Sequence, residues 1–87
     1  PKTKAIVVVD FAGKPVAMKH IQTIAKAHNL YLIDDASHAL GSSIDGKKIG
    51  TFGDMSVFSF HAIKPITTSE GGAVLTDDED YALKLRL

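Results

Sequence analysis

Cysteine is absent from the 87 residues, and with it any disulfide framework or thiolate metal site; this is the composition expected of a cytoplasmic protein. An excess of charge is missing too. Lys and Arg total 10 and Asp and Glu total 10, so the formal net charge is zero and nothing argues for electrostatic capture of nucleic acid or of an anionic membrane. No apolar run approaches the roughly 18 residues of a spanning helix, and no signal-peptide layout opens the chain. Length sets the last bound: a chain of this size buries only roughly 60% of the surface its unfolded form exposes, so one small core is expected. Both ends read as cuts. Pro1 leads almost directly into the strand-like run Ala5-Ile6-Val7-Val8-Val9, and the helical pattern Tyr81-Ala82-Leu83-Lys84-Leu85-Arg86-Leu87 carries no stop signal, so the 87 residues are expected to be part of a larger protein.

What is present alternates between strand and helix. After the first β-branched run, apolar residues at Val16, Ile21, Ile24, Ala25 and Ala27 recur at roughly helical spacing and predict a helix over about Val16 to His28. Asn29 suits the position just past a helix end, and Leu30 to Ile33 resumes as a strand. A strand, helix, strand unit of this kind implies a parallel sheet covered by helices. Asp45-Gly46 then marks a tight turn, Met55 to Phe60 reads as a strand, and Gly72-Ala73-Val74-Leu75 as another. Thr76 followed by Asp77, Asp78 and Glu79 predicts a capping box that opens a last helix.

The chemistry concentrates between the last two strands. Lys64 lies in a loop between two apolar runs, five residues after Ser59, and the strand before them ends in Asp34-Asp35. A serine, a lysine and a carboxylate at strand ends are the groups a pyridoxal phosphate site needs: an amine for the Schiff base, an acid for the pyridinium nitrogen and a donor for the phosphate. Each has an ordinary alternative, since most loop lysines are solvated and an Asp after a strand commonly caps a helical turn. Position favours the functional reading of Asp35, because open α/β sheets bind ligands beyond the carboxyl ends of their strands. His38, three residues on, is placed to contact the ring face or its phenolic oxygen. Pro65 biases Lys64 toward extended backbone, and Phe58, Phe60 and Ile63 are expected to give its amine an apolar setting. His20 and His28 lack acidic partners and read as solvated surface.

Two other layouts fail on spacing. A phosphorylated receiver domain also combines an acidic pair with Lys-Pro, but it needs a further aspartate ending an intermediate strand, and Asp54 precedes its strand. Gly41 to Lys47 has the glycine-lysine spacing of a phosphate-binding loop, but Lys48 stands where Ser or Thr would hold magnesium.

Four ordered runs carry a family resemblance: Asp35-Ala36-Ser37-His38-Ala39-Leu40-Gly41, Phe52-Gly53-Asp54, Phe58-Ser59-Phe60-His61-Ala62-Ile63-Lys64 and Glu70-Gly71-Gly72-Ala73-Val74. They resemble the pyridoxal phosphate-dependent sugar-nucleotide aminotransferases, over almost the whole chain. The stretch His61 to Thr68 is most similar to members acting in pseudaminic acid biosynthesis, and next to those that make amino-arabinose. The resemblance implies that Lys64 bonds the cofactor aldehyde, Asp35 pairs with its pyridine nitrogen, His38 neighbours the ring or its hydroxyl and Ser59 binds the phosphate. It implies the central part of the large domain of fold type I, a mixed, mostly parallel sheet with flanking helices. A phosphate-cradling helix, a ring-stacking aromatic and a small C-terminal domain have no counterpart in these residues, and a partner subunit, as in a homodimer, completes such sites. The implied reaction is ping-pong transfer of an amino group from an amino acid, glutamate by resemblance, to a 4-keto sugar nucleotide. Members with histidine at the lysine position dehydrate instead; Lys64 favours amino transfer. Ser69 stands where relatives often carry Gly or Ala, which leaves the shape of its loop open.

Overall fold

β-Branched residues open the fold and a reversal of direction closes it. In the computed structural model, which describes residues 2–87, β1 (Ala5–Val9) leads through a short 3-10 turn (Phe11–Gly13) to α1 (Met18–Ala27) and β2 (Tyr31–Asp35). A small hairpin follows, β3 (Ser43–Ile44) and β4 (Lys47–Lys48), and then β5 (Met55–Ser59), β6 (Gly72–Leu75) and α2 (Glu79–Leu85). The main sheet has the order β1-β2-β5-β6; β1, β2 and β5 run parallel, and β6 is antiparallel to β5. This is the mixed, mostly parallel sheet expected from the sequence.

The element boundaries move for identifiable reasons. Helix α1 starts at Met18, not Val16, because the Val16 amide donates to the Asp10 carboxylate at 2.9 Å, which ties the residues before the helix to the end of β1. Its end is as expected: Asn29 takes φ 53°, and the Leu30 amide reaches back to the Ala25 carbonyl at 2.8 Å, the Schellman arrangement. Strand β2 ends in Asp34-Asp35, as the sequence suggests, because both residues pair with both neighbouring strands. Asp45 and Gly46 both take positive φ, as a two-residue hairpin turn requires. The cap of α2 is a correction: Asp78, not Thr76, accepts the Tyr81 amide, at 3.0 Å, and the helix ends at Leu85 instead of running to Leu87.

Strand alternation sorts the residues onto two faces. Leu32, Asp34, Ser56 and Phe58 point to one face and are buried, under Met18 of α1 and Ala36, Ala39, Ile49 and Phe52 of the β2–β5 connection. On the other face Val7, Val9 and Val74 are exposed, and Asp35 belongs to their row, paired with Val9 and Val57. Phe52-Gly53-Asp54 is the clasp at the start of β5. Asp54 exchanges two bonds with Leu32, its carboxylate accepting the Leu32 amide at 2.7 Å and its amide donating to the Leu32 carbonyl at 2.8 Å. A side chain at Gly53 would come within 2.8 Å of the carbonyls of Leu32 and Met55, so only glycine allows that approach.

Candidate cofactor site

Parallel pairing brings the carboxyl ends of β1, β2 and β5 to one side of the sheet, the side where open α/β sheets take their ligands. Asp35 closes β2 there, partly buried on the open face. Its Oδ1 accepts two hydrogen bonds from Ser37, from the amide at 3.2 Å and from the hydroxyl at 2.5 Å. This Asx turn fixes the carboxylate, and among the described residues Oδ2 has no hydrogen-bond partner. Ser37 was missed in the sequence, although an Asp-x-Ser spacing at a strand end is a known turn pattern.

His38 is held from the neighbouring loop. The Ala12 amide donates to His38 Nδ1 at 3.2 Å, and the Phe11 ring lies 5.5 Å from the imidazole, tilted by 52°. Nδ1 therefore accepts, and a neutral His38 carries its proton on Nε2. Neither Phe11 nor Ala12 was singled out in the sequence, because contacts across 26 residues leave no local pattern.

Ser59 ends β5, and its hydroxyl oxygen accepts the His61 amide at 3.4 Å. It shares the face of Asp35: Val57 pairs with Asp35, and Ser59 lies two residues further, about 7 Å along the strand. Lys64 is partly buried in the β5–β6 loop, whose turn closes with the Lys64 amide donating to the His61 carbonyl at 2.9 Å. Among the described residues no hydrogen bond joins its amine to Asp35, His38 or Ser59. The expected apolar setting is corrected in part. Phe58 packs in the core on the opposite face and Ile63 is 83% exposed, so neither encloses the amine. Ser69 takes φ 70°, the left-handed region that glycine adopts most easily.

One carboxyl at this end of the sheet is strongly perturbed. Asp34, fully buried beside Asp35 in sequence but on the other face, is pushed up to about 7, first by burial and then by the charge and hydrogen bonding of Asp10. As a donor set, a carboxylate with one free oxygen on an open face, a strand-end hydroxyl and a loop amine suit a cationic pyridine nitrogen, a phosphate and an aldehyde. The residues present fit pyridoxal phosphate, with Asp35, Ser59, Lys64 and His38 as the groups that would hold it.

A mixed, mostly parallel sheet with this donor set at its carboxyl end has the layout of an aminotransferase large domain. The chain belongs to the DegT/DnrJ/EryC1/StrS aminotransferase family, whose profile matches residues 1–87. It is 56% identical over 86 residues to the UDP-4-amino-4,6-dideoxy-N-acetyl-beta-L-altrosamine transaminase of Helicobacter pylori, covering 99% of this chain and 23% of that protein. The solved structure of the Helicobacter pylori aminotransferase PseC, involved in pseudaminic acid biosynthesis, matches with a TM-score of 0.96 over 99% of this chain and 23% of that one. GDP-perosamine synthase of Caulobacter vibrioides is 47% identical over 87 residues, 100% of this chain and 24% of the relative. A putative sugar aminotransferase of Streptococcus pneumoniae, solved in its PLP form, matches with a TM-score of 0.81 at 31% identity, over 94% of this chain and 26% of that one. The chain thus spans about a quarter of the length of these relatives.

Proposed function

We propose that these 87 residues form the central part of the pyridoxal 5′-phosphate-binding large domain of a longer, cytoplasmic, homodimeric transaminase. It moves an amino group from an amino acid, glutamate, to a UDP-linked 4-keto deoxy-sugar of the pseudaminic acid type. The observation that carries the reading is Asp35, held through Oδ1 by Ser37 with Oδ2 free at the carboxyl end of β2, in a chain 56% identical to a UDP-sugar transaminase. The cofactor, when bound, supplies an electron-poor ring that stabilises negative charge on the carbon next to the transferred nitrogen.

The chain's own residues do the rest. Asp35 holds a proton at the pyridine nitrogen by placing a fixed negative charge against it, and Ser37 keeps that carboxylate from turning away. Ser59 offers its hydroxyl to the phosphate. His38 presents an Nε2–H to an acceptor at the ring. The Lys64 amine is the group that would hold the cofactor's aldehyde, and when free it would serve as the base that moves a proton during amino transfer. A second reading, amination of a different nucleotide-linked 4-keto sugar, is favoured by the likeness to GDP-perosamine synthase.

Incubating the full-length protein with glutamate and UDP- or GDP-linked 4-keto sugars, with mass spectrometry of the products, separates the two. An aminated UDP-sugar is expected. Amination of the GDP-sugar alone moves the assignment to the second reading, and no amination of either sinks both. Lys64→Ala is expected to remove the visible absorption of bound cofactor together with amino transfer. A fully active Lys64→Ala enzyme overturns its role.

A further inference from the structure

At the end of the sheet where the cofactor reading places its ligand, two aspartates are buried back to back. Asp10, the residue after β1, and Asp34 of the adjacent parallel strand β2 are on the core side of the sheet, both 0% exposed, with Ser56 beside Asp34 in register on β5. Among the described residues, Asp10 Oδ2, both carboxylate oxygens of Asp34 and the Ser56 hydroxyl have no hydrogen-bond partner. Among the described residues no lysine, arginine or histidine pairs with either carboxyl; the ion pair in the structure is Lys19–Asp45, at the surface. The groups on the same face as Asp34 are Asp10 just past β1, Ser56 on β5 and the Gly50 amide from the segment over the core, while Asp35, on the opposite face, acts on it only through its charge. Two unpaired carboxylates in that position would be costly, whereas one proton between them turns two orphan acceptors into a donor and an acceptor.

We propose that Asp10 and Asp34 share one buried proton, and that this pair makes Asp10 the positioning residue for His38. The inference rests on the transaminase reading only for its consequence, since the pair and its link to His38 are properties of the chain alone. The link is continuous. Asp34 donates the shared proton to Asp10 Oδ2; Asp10 Oδ1 accepts the Val16 amide at 2.9 Å and its carbonyl accepts the Gly13 amide at 3.3 Å. The loop so closed presents Ala12, at φ 54°, with its amide on His38 Nδ1 at 3.2 Å. Ser42 fastens the same loop from the far side, its hydroxyl donating to the Gly13 carbonyl at 3.2 Å. Asp10 thereby selects the tautomer in which His38 Nε2–H faces outward.

The link is also titratable. Burial and the charge of Asp10 raise Asp34 from 3.8 to about 7, so the folded chain keeps a proton that the unfolded chain releases above about 4. The pair's stabilisation is full in acid, declines from about pH 4 and is gone above about pH 7. Beyond that, two like charges push Asp10 off the loop and His38 loses its amide partner.

The test uses the full-length protein without cofactor, labelled with 13C at aspartate carboxyls and 15N at histidine, followed by NMR across pH 4–9. One aspartate carboxyl is expected to titrate near neutrality, and at pH 9 the Nδ1 resonance of neutral His38, assigned by its loss in His38→Gln, is expected at the position of an Nδ1 without a hydrogen bond. Asp34→Asn supplies a permanent donor to Asp10 and is expected to abolish the carboxyl titration and to keep the neutral His38 Nδ1 at its hydrogen-bonded position at pH 9. Asp10→Ala is expected to leave the neutral Nδ1 at the unbonded position and to weaken pyridoxal phosphate binding about tenfold, one hydrogen bond's worth of ordering. Asp10→Asn, which still accepts from Val16 and donates to Asp34, is expected to restore the bonded position and the affinity. The absence of any carboxyl titrating above pH 5, or a neutral Nδ1 position at pH 9 that is the same in Asp34→Asn and the wild type, overturns the proposal. These readouts need no substrate, so a failure of amino transfer counts against the functional reading and leaves the pair standing.

Discussion

One hydroxyl decides how much of Asp35 is left for a ligand. Ser37 occupies Oδ1 with two donors, so a cofactor nitrogen meets a single, fixed Oδ2. Ser37→Ala keeps the amide bond and loses the hydroxyl, and is expected to lower pyridoxal phosphate affinity severalfold, with Ser37→Thr restoring it; titration of the bound cofactor's absorption reads both, and unchanged affinity in Ser37→Ala removes Ser37 from the site. Asp35→Asn keeps the shape and removes the charge, so cofactor binding is expected to persist while turnover falls by orders of magnitude. Equal turnover in the two proteins would shift that role to another group. Asp35, His38, Ser59 and Lys64 were singled out in the sequence because strand ends and an ordered set of motifs mark them. Ser37 was quoted within a motif and overlooked, and the Phe11–Ala12 contact was not legible at all, since it exists only once β1 and β2 are paired.

Elements were read well where local chemistry sets them and less well where a distant group does. Asn29 and Asp45-Gly46 announce their left-handed backbone in their own residue types. The start of α1 is set instead by Asp10, six residues before Val16, and the cap of α2 passed to Asp78 because Thr76 is already engaged. The Thr76 hydroxyl donates to the Asp54 carbonyl at 2.7 Å and accepts the Asp78 amide at 3.2 Å, so it works as a brace between β5 and the helix entrance. Asp78→Ala is expected to cost about 1 kcal/mol in chemical denaturation. Asp54→Ala strands the Leu32 amide as well and is expected to cost about 1–3 kcal/mol, with faster hydrogen exchange at Leu32. Equal costs for the two would mean that the Asp54 clasp adds nothing beyond a surface cap.

At the scale of the whole molecule, the two faces of the sheet are unequal. The core face is closed by α1 and the β2–β5 connection, while Val7 at 60% exposure, Val9 at 50% and Val74 at 44% stand on the other, beside Asp35. Among the described residues both outer strands, β1 and β6, also present an unpaired edge. Durable retention of pyridoxal phosphate needs a phosphate cradle, a stacked ring and exclusion of water, and these 87 residues bring chiefly Lys64, Asp35, Ser59 and His38 to an open surface. The isolated 87-residue chain is therefore expected to bind the cofactor weakly and reversibly, and to self-associate through its apolar face and free edges. Titrating the purified chain with pyridoxal phosphate while following absorption, with light scattering for its mass, measures both. Stoichiometric, stable cofactor on a monodisperse monomer would mean that the binding energy resides in these few groups after all, and that the row Val7, Val9 and Val74 is a surface the chain tolerates in water.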